Sequence, residues 1–237
     1  MVRIALALAV IASSSTARAQ PAGTVKGTVI FEGEAPERVK QQRITDPYCA
    51  KIEKLTDEVI VTKGKLKDVL VRVKNGSLPA PKTPPPVPPP ALIDQKDCTF
   101  EPRVVGLVAG QKVAVRNSDG TFHTVNGSID GKLLWNKPAA PKEPDLSLEG
   151  STHAGDVIAI KCDVHAWMHA YAVVQDHAVF AVTGEDGAFE LKGLPPGKYT
   201  LEAWHPTLGT RSLAIVIGVG AKAKVTARIS YKQGEMK

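Results

Sequence analysis

Short apolar runs recur along the whole chain, and most of them alternate with polar positions. The first, GTVKGTVIF at 23–31, meets Gly33 and Pro36, which favours an edge strand followed by a turn. Similar runs follow at 58–61, 66–74, 91–94, 103–110, 111–116, 156–161 and 170–174. A repeat of two residues is typical of β-strands, and 20 Gly and 18 Pro provide turns between them. Only residues 37–44 suggest a short helix, so the pattern predicts an all-β protein of the sandwich type.

Residues 1–19 have the pattern of a secretory signal peptide. Arg3 precedes an apolar run at 4–12, and the segment ends on the small-x-small triplet Ala17-Arg18-Ala19. We expect cleavage near Gln20 and export to the periplasm or out of the cell. No later run approaches the roughly 20 apolar residues that a spanning helix requires, so no transmembrane segment is predicted.

The positive charge excess is mild. Loss of Arg3 and Arg18 with the signal peptide would lower the formal net charge from +6 to +4. Such a small excess on an exported protein does not favour nucleic acid as a partner.

A proline-rich stretch, PAPKTPPPVPPP at 79–90, divides the chain. This composition favours polyproline II, a semi-rigid spacer of about 3.1 Å per residue, so residues 77–90 are predicted to be a linker. Strand-like runs then continue from 91 to 176, with a looser span at 128–152. From 179 onward, strands alternate with strong turn sequences at 186–187 and 195–197.

The residues with the strongest chemistry lie in KCDVHAWMHA at 161–170. Cys162, His165 and Met168 have the spacing C-x-x-H-x-x-M and directly follow an apolar run. Sulfur donors favour Cu(I), imidazole suits Cu(II), and a thioether can complete a trigonal site as a weak axial ligand. The end of this strand is therefore predicted to carry copper.

Three cysteines in an exported protein leave one without an intramolecular partner. Because Cys162 already has a metal-ligand context, the economical disulfide joins Cys49 to Cys98 and leaves Cys162 as the working thiolate. The alternative bridge, Cys98 to Cys162, would remove the metal site and leave the neighbouring His and Met unexplained.

Residues 91–176 resemble a cupredoxin, a Greek-key β-sandwich that holds one mononuclear type 1 copper ion. The resemblance rests on a histidine after the Asn-Ser-Asp turn at 117–119, then C-x-x-H-x-x-M, then a last strand. The short ligand loop is similar to that of amicyanin. The resemblance implies four copper ligands, the last of them axial: His123, Cys162, His165 and Met168.

Two positions depart from the cupredoxin pattern. The first ligand is followed by Thr124, where Asn is frequent, and the second His by Ala166, where amicyanin-like loops have Pro. With Asn117 in the preceding turn, these residues are expected to shape the surroundings of the thiolate, and N–H groups aimed at the sulfur would stabilise the reduced state. His165 is expected near the surface, where an apolar patch at Trp167 would suit transient docking of a redox partner.

The outer parts of the chain resemble a second family. The run T-x-x-D-G-x-F-x-x-x-x-L-P-x-G-x-Y at 183–199 is similar to the carboxypeptidase regulatory-like, transthyretin-type sandwich, whose first half opens G-x-V-x-G-x-V, as the chain does at 23–29. The resemblance implies that residues 23–76 and 177–232 form one smaller sandwich that carries the cupredoxin as an insertion. Two domains in series are the alternative. His205 in this part is expected to be a packed, hydrogen-bonded corner rather than a ligand.

Together these features favour a periplasmic protein that passes single electrons through type 1 copper to redox partner proteins of the cell envelope. Two other functions stay open: a carrier or store for Cu(I), and an envelope binding or scaffold module with a structural copper. An enzyme is not expected, because a copper oxidase or nitrite reductase would need further histidine clusters and no H-x-H occurs in the chain.

Overall fold

The computed structural model describes residues 22–79 and 86–234. The predicted signal peptide at 1–19 and residues 80–85 of the predicted linker lie outside this part of the chain. Within it, the backbone forms β-strands and two single-turn 3-10 helices, Cys49–Lys51 and Gly220–Ala223, with no α-helix. The predicted all-β class is confirmed. None of the helices in these described residues has the length and apolar character needed to cross a bilayer.

The strands differ widely in length, from two residues to ten. In chain order they are β1 (Gly23–Glu32), β2 (Val61–Thr62), β3 (Lys65–Leu66), β4 (Leu70–Val73), β5 (Ala91–Lys96), β6 (Thr99–Glu101), β7 (Val104–Val108), β8 (Val113–Asn117), β9 (His123–Ile129), β10 (Lys132–Ala139), β11 (Leu146–Leu148), β12 (Val157–Lys161), β13 (His169–Gln175), β14 (Phe180–Val182), β15 (Ala188–Leu194), β16 (Gly197–His205), β17 (Gly209–Ile217) and β18 (Lys224–Lys232).

Two sheets are built entirely from the middle of the chain. One has the strand order β10-β9-β12-β13-β7 and the other β11-β8-β5-β6. Most neighbours are antiparallel, but β13 runs parallel to β7 and β5 runs parallel to β8. Apolar side chains from both sheets, such as Ile93, Leu107, Val125 and Ile158, form a single buried core. We call this unit the inner sandwich.

The other two sheets take strands from both ends of the chain. One has the order β15-β1-β3-β2, with β18 also paired to β1, and the other has the order β14-β4-β16-β17. Their buried side chains, including Val25, Val71, Leu201 and Tyr231, form a second core. We call this unit the outer sandwich. Its strand pairing supports the predicted insertion of 91–176 between 23–76 and 177–232, which we retain as a proposal.

The first strand is not the edge strand that its sequence predicts. β1 pairs with β15 along 23–28 and in parallel with β18 along 24–32, so it lies inside its sheet. Both partners come from the far end of the chain, and no local pattern announces them. Burial of Val25, Val29 and Phe31 follows from this central position.

Two further expectations are wrong. Residues 37–44 are not helical; they are irregular, with Lys40 bridged to Leu55 and the N–H of Gln41 donating to the carbonyl of Lys54. Residues 128–152, expected to be poor in strands, contain β10 and β11. The apolar signal of β10 is weak because only Trp135 and Ala139 are buried in it.

A small apolar cluster joins the two sandwiches. Leu70 of β4 is buried against Val104 of β7 and Val173 of β13. The two units come close here: a Cβ on Gly106 would lie 2.3 Å from the ring of Phe180. Through these contacts the two sandwiches pack against each other.

Candidate metal centre

The predicted ligands come together because three neighbouring strands begin or end at the same end of one sheet. β9 begins at His123, β12 ends directly before Cys162, and β13 begins directly after Met168. β12 is antiparallel to both β9 and β13, with Lys161 opposite Asn126 and His169. Antiparallel pairing therefore places the start of β9, the end of β12 and the start of β13 side by side.

Three of the four predicted ligands converge on one buried point. The Nδ1 atoms of His123 and His165 are 2.8 Å apart, and Sγ of Cys162 lies 3.9 and 3.7 Å from them. Atoms that bind one ion at about 2.0 to 2.3 Å can be no more than about 4.6 Å apart, so these separations suit one metal ion. Two imidazoles and a thiolate are the equatorial donors of a mononuclear copper site.

Met168 closes the ligand loop. Its N–H donates to the carbonyl of His165 at 3.0 Å, and its own carbonyl accepts the N–H of Cys162 at 3.3 Å. The side chain is 1% exposed and belongs to the same buried cluster as Cys162. The loop thus keeps Met168 buried next to the cysteine in the backbone hydrogen-bond pattern, and its axial role stays a prediction.

The sulfur of Cys162 receives several hydrogen bonds. The N–H of Thr124 donates from 3.4 Å, its hydroxyl lies 3.8 Å away, and the N–H of Val164 also donates. Burial alone would raise the pKa of Cys162, but the hydrogen bond from His123 and these donors lower it to about 6. The site therefore holds a thiolate at neutral pH, which is the form that binds metal.

Thr124 also connects the two ligand loops. Its hydroxyl accepts the N–H of Asp163 at 2.7 Å, so Thr124 can make the connection that Asn often makes in the cupredoxin pattern. Ala166 is exposed, and the hydrogen bonds to the sulfur described here come from other residues. The predicted influence of Ala166 on the thiolate stays a prediction.

A buried carboxylate holds the far side of the first imidazole. Nε2 of His123 donates to Oδ2 of Asp119 at 2.9 Å, and the same oxygen accepts the N–H of Cys98 at 2.8 Å. Asn117 shapes this turn, because its Oδ1 accepts the N–H of Asp119. Burial opposes protonation of the ring, but Asp119 and the thiolate outweigh it and raise the pKa of His123. The imidazole is thereby fixed with Nδ1 toward the thiolate.

A second carboxylate holds the other imidazole in the same way. Nε2 of His165 donates to Oδ2 of Asp46 at 3.1 Å, and Oδ1 of Asp46 accepts the N–H of Cys49 at 2.9 Å. The hydroxyl of Thr121 donates to Asp46 as well. Burial would raise the pKa of Asp46, but the N–H of Cys49 and the other donors lower it to about 2. Asp46 is therefore an anion at any pH near neutrality.

Asp46 belongs to a long connection from the outer sandwich, residues 33–57, which we call the strap. Because the strap covers the metal end of the inner sandwich, His165 is 3% exposed, and its predicted position near the surface is wrong. Trp167 is partly buried beneath the guanidinium of Arg43, and its Nε1 donates to the carbonyl of Cys98. Docking of a partner at Trp167 stays a prediction.

A disulfide fastens the strap to the inner sandwich. Cys49 and Cys98 are joined, with their Cα atoms 5.8 Å apart, and Cys162 is free and buried. The predicted pairing is present, and the alternative bridge from Cys98 to Cys162 is wrong.

Sequence reasoning missed both carboxylates. Asp119 could have been found as the residue four positions before a ligand histidine, in the turn that the pattern already contained. Asp46 is 119 positions away from His165. Its only signal was the disulfide, which brings residue 49, and hence residue 46, to the metal end of the fold.

Comparison with known proteins gives structural neighbours only. No family model matches the chain, and no curated protein matches it. Among solved structures, the "Novel Purple Cupredoxin from Nitrosopumilus maritimus" is 20% identical, covers 36% of this chain and 99% of its own, and has a TM-score of 0.30. A mutant amicyanin in its reduced state is 20% identical over 44% of this chain and 99% of its own, with a TM-score of 0.33.

A third neighbour is part of a larger protein. The copper-containing nitrite reductase (NirK) from Thermus scotoductus SA-01 is 15% identical over 42% of this chain and 25% of its own, with a TM-score of 0.31. The matches described here cover less than half of the chain. The function proposed below therefore rests on the side chains of the site.

Proposed function

We propose that this protein binds one copper ion in a type 1 site and transfers single electrons in the cell envelope. The observation that carries the proposal is the convergence of Cys162 Sγ with the Nδ1 atoms of two buried histidines, each fixed from behind by a carboxylate. His123, Cys162, His165 and Met168 would hold the metal. When bound, copper would supply a one-electron couple between Cu(I) and Cu(II).

The residues around the site favour small movements during electron transfer. Each ring is held by a hydrogen bond from Nε2 to a carboxylate, and the hydroxyl of Thr124 ties the loop of the first histidine to that of the cysteine. The thiolate is already present before metal binds, because the pKa of Cys162 is about 6. A prearranged ligand set of this kind suits both oxidation states without rearrangement.

Burial favours electron transfer over copper delivery. The four proposed ligands are between 0% and 3% exposed, and the strap lies over His165. A carrier would have to present a ligand to the partner that receives the ion, whereas an electron can pass through a covered edge. We therefore prefer a resident copper to a cargo copper, and electron transfer to catalysis.

A visible absorption spectrum tests the proposal directly. Mature protein with one equivalent of Cu(II) should show an intense thiolate-to-copper band, and the Cys162→Ser variant should lack it. The Cys49→Ala/Cys98→Ala variant is the matched control, since it loses two cysteines but keeps the proposed ligand. An absent band in correctly folded, copper-loaded wild type would refute the type 1 assignment.

Because His165 is covered by the strap, we place the proposed electron exit at exposed residues next to the ligands. Phe122 and Val164 each precede a ligand by one residue and are 44% and 49% exposed. Val164→Ser should slow electron self-exchange without altering the visible spectrum, because the N–H of residue 164 still binds the sulfur. Val216→Ser, which changes an exposed valine on β17, is the control. Equal self-exchange rates for both variants would remove Val164 from the route.

A further inference from the structure

The disulfide lies beside the backs of both ligand imidazoles. Sγ of Cys49 is 3.9 Å from Nε2 of His165. Two groups of potential metal donors surround the sulfurs, and within each group the donor atoms lie within 4.8 Å of one another: Asp46 with Cys49 and His165, and Cys98 with Asp119 and His123. Both groups lie at the Nε2 edges of the rings, and the Nδ1 atoms at the opposite edges face the proposed copper site.

The two halves of this arrangement repeat each other. In each half, a cysteine N–H donates to an aspartate, and the aspartate accepts the Nε2–H of a histidine: Cys49, Asp46 and His165 on one side, Cys98, Asp119 and His123 on the other. Both cysteines are fully buried. Two buried sulfurs that the proposed type 1 site does not use thus lie beside the two carboxylates that hold its imidazoles.

We propose that reduction of the Cys49–Cys98 disulfide creates a second metal site, in which the two thiolates bind one Cu(I) ion beside the carboxylates of Asp46 and Asp119. Two sulfurs that bind one ion at about 2.3 Å can be up to about 4.6 Å apart. Cysteines whose Cα atoms are 5.8 Å apart can reach this separation once the S–S bond is broken. Paired thiolates are the soft donors that select Cu(I).

The chemistry needs a dithiol reductant. It breaks the S–S bond by exchange, becomes a disulfide itself, and leaves two electrons and two protons on Cys49 and Cys98. Binding of Cu(I) then releases both protons. Reduction therefore converts a covalent fastening of the strap into a metal-dependent one, and the chain holds one more copper ion in a reducing environment than in an oxidising one.

The test uses the full mature chain carrying Cys162→Ser, which removes the thiolate of the proposed type 1 site. Protein is treated with dithiothreitol, separated from it by anaerobic gel filtration, and titrated with Cu(I) against a coloured Cu(I) chelator. The thiol count should rise from zero to two, and retained Cu(I) should rise from zero to one equivalent per chain. Far-UV circular dichroism should remain that of the oxidised protein.

Matched variants assign the retained ion to the pair. Cys49→Ser/Cys162→Ser and Cys98→Ser/Cys162→Ser each keep one thiol and should retain no Cu(I). Three results would overturn the proposal: a disulfide that cannot be reduced without unfolding, a reduced protein that retains no Cu(I), or equal retention in the single-thiol variants. None of these results depends on whether the type 1 site exists.

Discussion

Removal of the Cys49–Cys98 disulfide should lower the free energy of unfolding by about 4 kcal/mol. The bond spans a sequence separation of 49 residues. In the chain-entropy description, closing a loop of this length removes about 14 cal/mol/K of conformational entropy from the unfolded chain. At 25 °C this corresponds to a stabilisation of about 4 kcal/mol. Because whole domains are stabilised by about 5 to 15 kcal/mol, this is a large share.

The perturbation is the Cys49→Ala/Cys98→Ala variant. Alanine is preferred to serine because both positions are buried, and a buried hydroxyl without a partner would add its own cost. Guanidinium unfolding of metal-free protein, followed by tryptophan fluorescence, reports on both sandwiches, since Trp135 and Trp204 lie in different ones. At slopes of about 4 to 6 kcal/mol/M, the midpoint should fall by about 0.7 to 1 M.

The Cys162→Ala variant is the control for loss of a buried sulfur. It keeps the disulfide and should therefore lose much less than the double variant. A midpoint shift below about 0.2 M in the double variant, with an unchanged slope, would refute the reasoning. It would mean that the strap is held in the unfolded chain or that its closure contributes little to stability.

Three further predictions concern single side chains. In wild type, protonation of His205 should lower the free energy of unfolding by about 2 to 3 kcal/mol between pH 7 and 4.5, because burial lowers its folded pKa to about 3 and the unfolded chain takes up a proton below about 6.5. In unfolding titrations at the two pH values, His205→Asn should reduce this loss of stability, and an unchanged loss would contradict the prediction. Asp119→Asn should weaken Cu(II) binding about 10- to 100-fold. Asp46→Asn should weaken it less, because the side chain of Asp119 is 2% exposed and that of Asp46 is 17% exposed. Competition titrations compare the Cu(II) affinities of the two variants, and a larger loss in Asp46→Asn would count against the carboxylate roles. Thr124→Val should raise the pKa of the Cys162 thiol above about 6 in metal-free protein, as ultraviolet thiolate absorbance can show, and an unchanged titration would exclude the hydroxyl as a donor.

Local sequence pattern was sufficient where the chemistry is local. The C-x-x-H-x-x-M spacing lies in one loop between hydrogen-bonded strands, so Cys162, His165 and Met168 had to be neighbours. His123 was predicted from the resemblance to cupredoxins, which rests on a histidine after the Asn-Ser-Asp turn, and the pairing of β9 with β12 places it next to that loop. His205 is buried, and its Nδ1 accepts the N–H groups of residues 207 and 208, which is the packed corner that its sequence predicts.

Pattern failed where structure depends on distant pairing. The central position of β1 follows from β18, roughly 200 residues later, and a two-residue repeat does not distinguish an inner strand from an edge strand. The predicted helix within the strap was wrong for a related reason. Its residues are mostly polar and irregular, and its conformation is set by contacts such as that of Arg43 with the carbonyl of Asp97. No local propensity encodes such contacts.

The strap changes what the outer sandwich means for the site. It leaves the outer sandwich after β1, crosses the metal end of the inner one, and returns at β2, so Asp46 and Cys49 reach the site only because β1 and β2 belong to the neighbouring unit. An inner sandwich without it would keep its four proposed ligands but lose the carboxylate behind His165 and the partner of Cys98. That imidazole would then be freer to rotate and would face water. The outer sandwich therefore contributes to the candidate metal centre through the strap, and the proposed insertion is the arrangement that anchors both ends of the strap beside it.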